Sequence, residues 1–353
     1  MKLDRRKELI LTAIIERFIE NGEPVGSGSV ADYLDIGVST ATIRNEMSAL
    51  TELGLIEQPH TSAGRVPSHL GYRFYIKNLM MKKPLTSSER HQIDAVFSVG
   101  HADIEGLLES ASNTLAYLTN CASISTTPQS KFLAFAHIEL ISTESAVVIL
   151  LFVTTTGIAK NKLFRLDIQP SPEEYARFVD IVNDHLKKTP IDEITPEFIQ
   201  SLVSALDMNV IAFTPILYTI YTMASETSSG QIILEGGNNL LSHKELAENA
   251  KNVMDFIGRH DTLKHMINQN SDNLSIIIGT EKSEIAPPQI GIIFSKYYMH
   301  DTPAGCFGII GPRRINYAKI IPYVEYISSS MGKLLSRTFL PSPDEKQHSD
   351  DKK

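Results

Sequence analysis

Residues 22–67 read GEPVGSGSVADYLDIGVSTATIRNEMSALTELGLIEQPHTSAGRVP, and this stretch decides the fold. In its middle, Ser39 or Thr40 can cap a helix that runs through Leu53, with Ile43, Met47, Leu50 and Leu53 facing inward and Gly54 as the stop. Asp35–Val38, containing Gly37, is a tight turn, and before it Ser27 or Ser29 caps a short helix through Leu34. Upstream, Asp4–Glu20 carries Leu9, Ile10, Ala13, Ile14, Ile15 and Phe18 at the spacing of an amphipathic helix. Asn21-Gly22 ends that helix and Pro24 stiffens the turn after it. Three short helices joined this way outline a helix-turn-helix domain. Downstream, Leu55–Gln58 and Arg65–Pro67 are extended around a polar loop, so a β-hairpin follows and reads as a wing. Ser68–Met81 is expected to be a further helix, and Pro84 marks a boundary near 83.

The strongest chemical candidate is the third helix. Thr40, Arg44 and Asn45 can project from its outer side, beside Ser39 and Thr42 at its start. Arg matches guanine O6 and N7, Asn matches adenine, and Thr can meet a phosphate or a thymine methyl group. The helix N-terminus adds free backbone N–H groups for a phosphate. The wing loop, residues 58–67, offers His60, Ser62 and Arg65 for the sugar-phosphate backbone or the minor groove, with Gly64 permitting close approach. Against these stand a solvated helix face and an ordinary hairpin loop.

The rest of the chain is α+β. A helix begins at Glu89, capped by Ser87 or Ser88, and strands are expected beyond Pro128 at 132–141, 145–154 and 158–166. Residues 171–223 turn helical, with Pro190, Pro196 and Pro215 as punctuation. A strand at 231–235, a helix from Ser242 through Phe256 and another at 261–268 follow. Strands at 274–279, 289–294 and 306–310 lead to a last helix from about Tyr317 to Phe339, and Pro341–Lys353 is a polar tail expected to be disordered. There is no internal repeat.

Composition narrows the function. The chain has 353 residues, 42% of them hydrophobic and 21% charged, which suits a folded protein of two or three domains. No apolar run reaches the ~20 residues of a membrane-spanning helix, and the charged start MKLDRRKELILTAIIERF is unlike a signal peptide; a soluble, cytoplasmic protein is expected. Net charge is −8, yet residues 1–83 hold 11 basic against 10 acidic side chains, so the acidity lies in the remainder. Polyanion binding by the whole surface is disfavoured, whereas a local site in the first segment is not. Cys121 and Cys306 are far apart without a CxxC, which disfavours a disulfide framework, a zinc site or a redox pair. Gly305, Gly308 and Gly311 with Arg313-Arg314 lack the GK[ST] ending of a P-loop; the glycines suit a strand and turn and the arginines the surface. His260 and His265 are five apart, not the four of a zincin pair, and no nucleophile motif occurs. No enzyme, metal or cofactor is called for.

With these residues in view, the stretch from Gly22 to Ile76 closely resembles the heat-inducible transcription repressor family HrcA, most specifically in ATIRNEM and QPHTSAGR-P. IGIIFSKYY and AGCFGIIGPRRINYAKIIPYVEYI are similar to the end of that family's GAF-like domain. The resemblance implies a winged helix-turn-helix at 1–83, a GAF-like domain in two parts at 84–164 and 229–340, and an inserted, mainly helical dimerisation domain at 165–228. It further implies a homodimer on an inverted-repeat operator upstream of chaperone operons, released by heat and promoted in its active form by chaperonin. Gly28 departs from the family pattern, which more often has Lys there; the difference removes one phosphate contact and lowers the salt sensitivity of binding. Two other readings stay open from the residues alone. One is a regulator sensing a small molecule in the GAF-like body, and the other is a helix-turn-helix used for protein docking.

Overall fold

The computed structural model describes residues 2–34, 37–59, 64–98, 103–142, 147–166, 168, 170–206, 210–228, 230–280 and 286–339. The expected tail and the tip of the wing, with His60 and Ser62, lie outside these residues.

The head follows the local signals closely. Helix α1 (Arg5–Asn21) starts where the Asp4 carboxylate accepts from the Lys7 N–H, and it ends at Gly22, whose φ of 73° is left-handed. Helices α2 (Ser27–Leu34) and α3 (Thr40–Glu52) follow, and Ile10, Ile14, Val30, Ile43, Met47 and Leu50 close a core between the three. Strands β1 (Ile56–Glu57) and β2 (Val66–Pro67) pair antiparallel, Ile56 opposite Pro67. The next helix is shorter than its pattern predicts. Ser68 caps α4 (His69–Phe74), after which Tyr75–Leu79 widens into a π-helix closed by Met80 N–H to Tyr75 O at 2.8 Å.

The remainder runs α5 (Ser87–Ser98), α6 (Ile104–Thr119), β3 (Ala122–Thr126), β4 (Phe135–Ser142), β5 (Val147–Thr154) and β6 (Ala159–Arg165). Then come α7 (Pro172–Leu186), α8 (Pro196–Ala205), α9 (Val210–Ser228), β7 (Ile232–Glu235), α10 (Lys244–Ala247), α11 (Ala250–Ile257) and α12 (His260–Gln269). Strands β8 (Leu274–Ile278), β9 (Ile290–Met299) and β10 (Thr302–Pro312) precede the long α13 (Tyr317–Phe339). Thr86, not Ser87 or Ser88, caps α5, reciprocally with Glu89: Glu89 N–H donates to Thr86 Oγ1 and Thr86 N–H to Glu89 Oε2. The helix expected from Ser242 to Phe256 is split into α10 and α11, and Ser242 does not cap it: that residue ends a 3₁₀ turn (Gly237–Ser242), where its hydroxyl donates to Asn239 O at 2.6 Å.

Five strands form one antiparallel sheet in the order β7–β3–β10–β9–β8. Alternate residues of β9 point to opposite faces: Ile293 and Tyr297 join α6 and α13, while Ile292 and Phe294 join α10–α12. This sheet with helices on both sides is the expected α+β body. Between its neighbouring strands β3 and β7 the chain leaves to build a second core. There β4–β5–β6 is a three-stranded antiparallel sheet, and Phe135, Ile138, Val148, Leu150 and Phe152 pack against Phe178, Val182, Phe213 and Ile216 of the helices. The expected division at 164/165 runs through this core. Alternation in β4–β6 correctly gave a half-buried sheet, but its packing partner is α7–α9 and not the five-stranded sheet.

The head is docked on the body. Tyr72 and Tyr317 are fully buried with ring centroids 5.8 Å apart, and they fuse the two cores. Lys83 N–H donates to Ala318 O at 2.9 Å, and Lys82 pairs with Glu325 at 2.6 Å. Arg313 and Arg314 are half-buried, not surface residues. The Arg314 Nε lies 2.9 Å from Glu245, and its Nη1 donates to Ile19 O at the end of α1. Gly308 and Gly311 lie within β10, where a Cβ would stand 2.4 Å from Ile293 O and 2.6 Å from Cys121 Sγ.

Candidate nucleic-acid interface

Helix α3 is divided along its length. Ile43, Met47 and Leu50 are at most 4% exposed, and Thr40, Ala41, Arg44, Asn45 and Ser48 form the opposite, exposed side. Ser39 is the N-cap: its hydroxyl accepts from the Thr42 N–H at 3.2 Å and lies 2.9 Å from Thr42 Oγ1. Thr42 is half-buried and spends its hydroxyl on this cap. Of the five residues expected on α3, then, Thr40, Arg44 and Asn45 share the open side, while Ser39 and Thr42 hold the start of the helix.

A charged flank at the start of α1 adjoins this side, where Arg5 pairs with Glu8 and Lys7 with Asp4. Glu46 on α3 receives Lys7 at 3.0 Å and Arg6 at 3.5 Å. Hydrogen bonds donated to Asp4 and then to Glu46 raise the Lys7 pKa, so its ammonium stays charged. The one carboxylate on this part of α3 is thereby matched, and the side chains of Arg5 and Arg6 are 81% and 52% exposed beside it. The sequence carries this signal as DRRK at 4–7; composition-level reasoning left it unused.

The wing root is built differently from its sequence reading. Val25 N–H donates to Arg65 O at 2.8 Å and Arg65 N–H to Val25 O at 2.9 Å, so the chain before α2 adds a third short rung to the hairpin. Gly64 is required there, since a Cβ would sit 2.5 Å from Val25 O. Its close approach is to the protein's own backbone. Arg65 is half-buried and its Nε donates to Thr51 Oγ1 at 3.2 Å, tying the wing to the last turn of α3. The bond occupies one of five guanidinium N–H donors. Gly28, near the start of α2, is exposed, and a Cβ there meets nothing within 4 Å.

Two thiols complete the inventory of reactive groups. Burial pushes Cys121 and Cys306 each up to about 12, which leaves them as unreactive thiols. Among the described residues no helix is long and apolar enough to cross a membrane.

An exposed side on the second helix of a helix-turn-helix, a charged flank and a wing tied to the end of that helix are the candidate interface. Residues 2–79 match the family model described as the winged helix-turn-helix transcription repressor, HrcA DNA-binding, and residues 105–321 match that of the HrcA protein C-terminal domain. The chain belongs to the HrcA family. The heat-inducible transcription repressor HrcA of Clostridium tetani is 34% identical over 95% of this chain and 96% of its own length. That of Brevibacillus brevis is 31% identical over 96% and 99%. A crystal structure described as that of a hypothetical protein superposes with a TM-score of 0.64 over 96% of this chain and 100% of its own, at 24% identity, and shows the same fold. HrcA proteins are transcription repressors, not enzymes, and the winged helix is their DNA-binding domain.

Proposed function

We propose that this HrcA chain represses chaperone operons in the cytoplasm by binding an inverted-repeat operator as a homodimer. The observation that carries the reading is the open side of α3, where Thr40, Arg44 and Asn45 stand over a sealed core beside the wing. In this reading Arg44 and Asn45 take base edges in the major groove and the helix start takes a phosphate. The wing, through His60, Ser62 and the remaining donors of Arg65, follows the backbone. One head spans one half-site, so an inverted repeat calls for two heads on a two-fold axis.

The dimer contact is assigned to the second core, now taken as residues 133–228. Support comes from its surface. Ile141, Leu163, Ile211 and Tyr218 are 48%, 65%, 75% and 65% exposed there, and Ile149 pairs with both Ile141 and Leu163 to align an apolar row across the open face of the sheet. Heat release and chaperonin dependence complete the proposal: a protein of several small cores opens part by part, and chaperonin returns open chains to the binding form.

A footprint on a chaperone promoter tests the operator reading, and protection of an inverted repeat is expected. Light scattering tests the dimer: Leu163→Asp with Tyr218→Asp should give a monomer that binds one half-site weakly. Operator occupancy that ignores both heat and added chaperonin with ATP would sink the regulatory part.

A further inference from the structure

A cavity of about 570 Å³ opens where the body meets the second core, at the end of the five-stranded sheet. The chain passes between the two cores beside it, out through residues 127–133 and back through 228–231. The passages are clasped by Thr127 N–H to Gln231 O at 3.0 Å and Gln231 N–H to Thr127 Oγ1 at 2.8 Å. Its size lies in the range of sites that hold metabolite-sized molecules. It forms at an irregularity in the sheet, because β10 shifts register between Pro303 and Gly305 against β9. Glycine is required at 305 because the buried Tyr297 ring packs against it, where a Cβ would stand 2.4 Å from the Tyr297 hydroxyl.

The charges on its wall are unequal. Among the described residues, Lys131, Lys264 and Lys296 line it together with a single carboxylate, Asp192. Asp192 already receives the Ser130 hydroxyl at 3.3 Å. Lys264 and Lys296 are half-buried, and among the described residues neither forms an ion pair with a carboxylate. The Lys296 ammonium donates to Ser271 O at 2.9 Å, which leaves two of its three protons for another acceptor. Burial lowers the pKa of Lys160 on β6; Glu105 and Glu226 oppose that shift, and Lys264 adds a smaller lowering. Two ammonium groups on one wall, with no carboxylate partner among the described residues, give the cavity a positive field that favours an anion.

We propose that this cavity is a binding site for a small polyanion, phosphorylated or polycarboxylate, held by Lys264 and Lys296 between the body and the second core. Lysine point charges fix the sign of the ligand, whereas the forked geometry that selects phosphate or carboxylate by shape belongs to arginine. Thr127, Ser130 and Ser228 on the wall supply polar contacts for the uncharged part. The site stands whether or not the repressor reading does, because its test involves no DNA.

The test is calorimetric titration of the full-length chain with inorganic pyrophosphate, with citrate and with ATP, each against sodium chloride of matched ionic strength. Saturable one-site binding of at least one of them is expected; pyrophosphate or ATP alone identifies phosphate chemistry, citrate alone carboxylate. Lys264→Gln with Lys296→Gln should weaken that binding by at least about tenfold, the loss of charge-assisted bonds. Lys264→Arg with Lys296→Arg should keep it within about threefold, since charge is retained. Circular dichroism checks that both variants fold. No saturable binding of any of the three anions, or undiminished binding in a folded glutamine variant, overturns the proposal.

Discussion

Tyr72 of the head and Tyr317 of the body lie with ring centroids 5.8 Å apart, and among the described residues only the Tyr317 hydroxyl has a hydrogen-bond partner. Tyr317 donates to Arg313 O at 2.7 Å, whereas the buried Tyr72 hydroxyl has no hydrogen-bond partner among the described residues. The same substitution should therefore act oppositely at the two sites. Tyr317→Phe is expected to lower stability by about 1 kcal/mol, because it removes the hydrogen bond to the Arg313 carbonyl. Tyr72→Phe should be neutral or stabilising, since it removes an orphaned hydroxyl and keeps the ring. Urea melts of the two variants decide it; equal losses would mean that Tyr72 has an acceptor.

The two arginines of the head should separate cleanly. Arg44→Ala is expected to cost about 1–3 kcal/mol in operator affinity and to relax discrimination at one base position. Arg65→Ala should weaken all sites alike and, because Nε holds Thr51, should also lower the melting temperature of the head. Binding measured on an operator mutant series at several salt concentrations, together with thermal melts, checks both. A change of base preference from Arg65→Ala would reverse the assignment.

Gly28 gives a gain-of-function test. A longer side chain meets no obstacle at this exposed position. Gly28→Lys should tighten operator binding and steepen log K against log salt by about one, one added phosphate contact. It should also favour α2 by about 0.5–1 kcal/mol, since glycine is a poor helix former. An unchanged salt slope would place the start of α2 away from the phosphates.

Acid should loosen the link between α5 and α13. The Tyr323 hydroxyl, then the Thr86 N–H, with Lys319 further off, hold the Glu89 carboxyl down at about 2 from 4.5. A depressed carboxylate stabilises the folded chain fully above its unfolded value, and loses that contribution as pH falls from about 4.5 toward 2. The stability gap between wild type and Glu89→Gln should be constant near neutrality and should close across that interval. Denaturant melts from pH 7 to 2 measure it; a gap that widens in acid would contradict the sign.

These sites show what was legible from residues alone. Helices α1–α3 fall within about a residue of their predicted ends because caps and stops act locally: Asp4, Gly22 and Ser39 do their work within one turn. The open side of α3 follows from the same periodicity. Strand β3, by contrast, was missed. Its sequence ASIST is short and buried on both faces, with serines where alternation would call for apolar residues, and Ser112 pairs with Ser125 in that interior. The partition of β4–β6 was misjudged because a strand's alternation names a buried face but not its partner. The wing misled for a similar reason. Gly64 and Arg65 have chemistry suited to DNA, yet part of it is spent on Val25 and Thr51, contacts 14 or more residues away in sequence.

The clasp between Thr127 and Gln231 has a topological consequence. Strands β3 and β7 are consecutive in the sheet and paired antiparallel, Thr126 opposite Ile232, so the entire second core occupies the loop of a β-hairpin. Closing such a loop costs free energy that grows only with the logarithm of its length, about 0.6 kcal/mol per doubling. The body therefore scarcely registers how much chain hangs there. A short turn spliced between Thr127 and Gln231 should leave a sheet of unchanged register, and a larger or smaller module could occupy the same place. In this topology the second core is a cassette whose length the strands that carry it do not set.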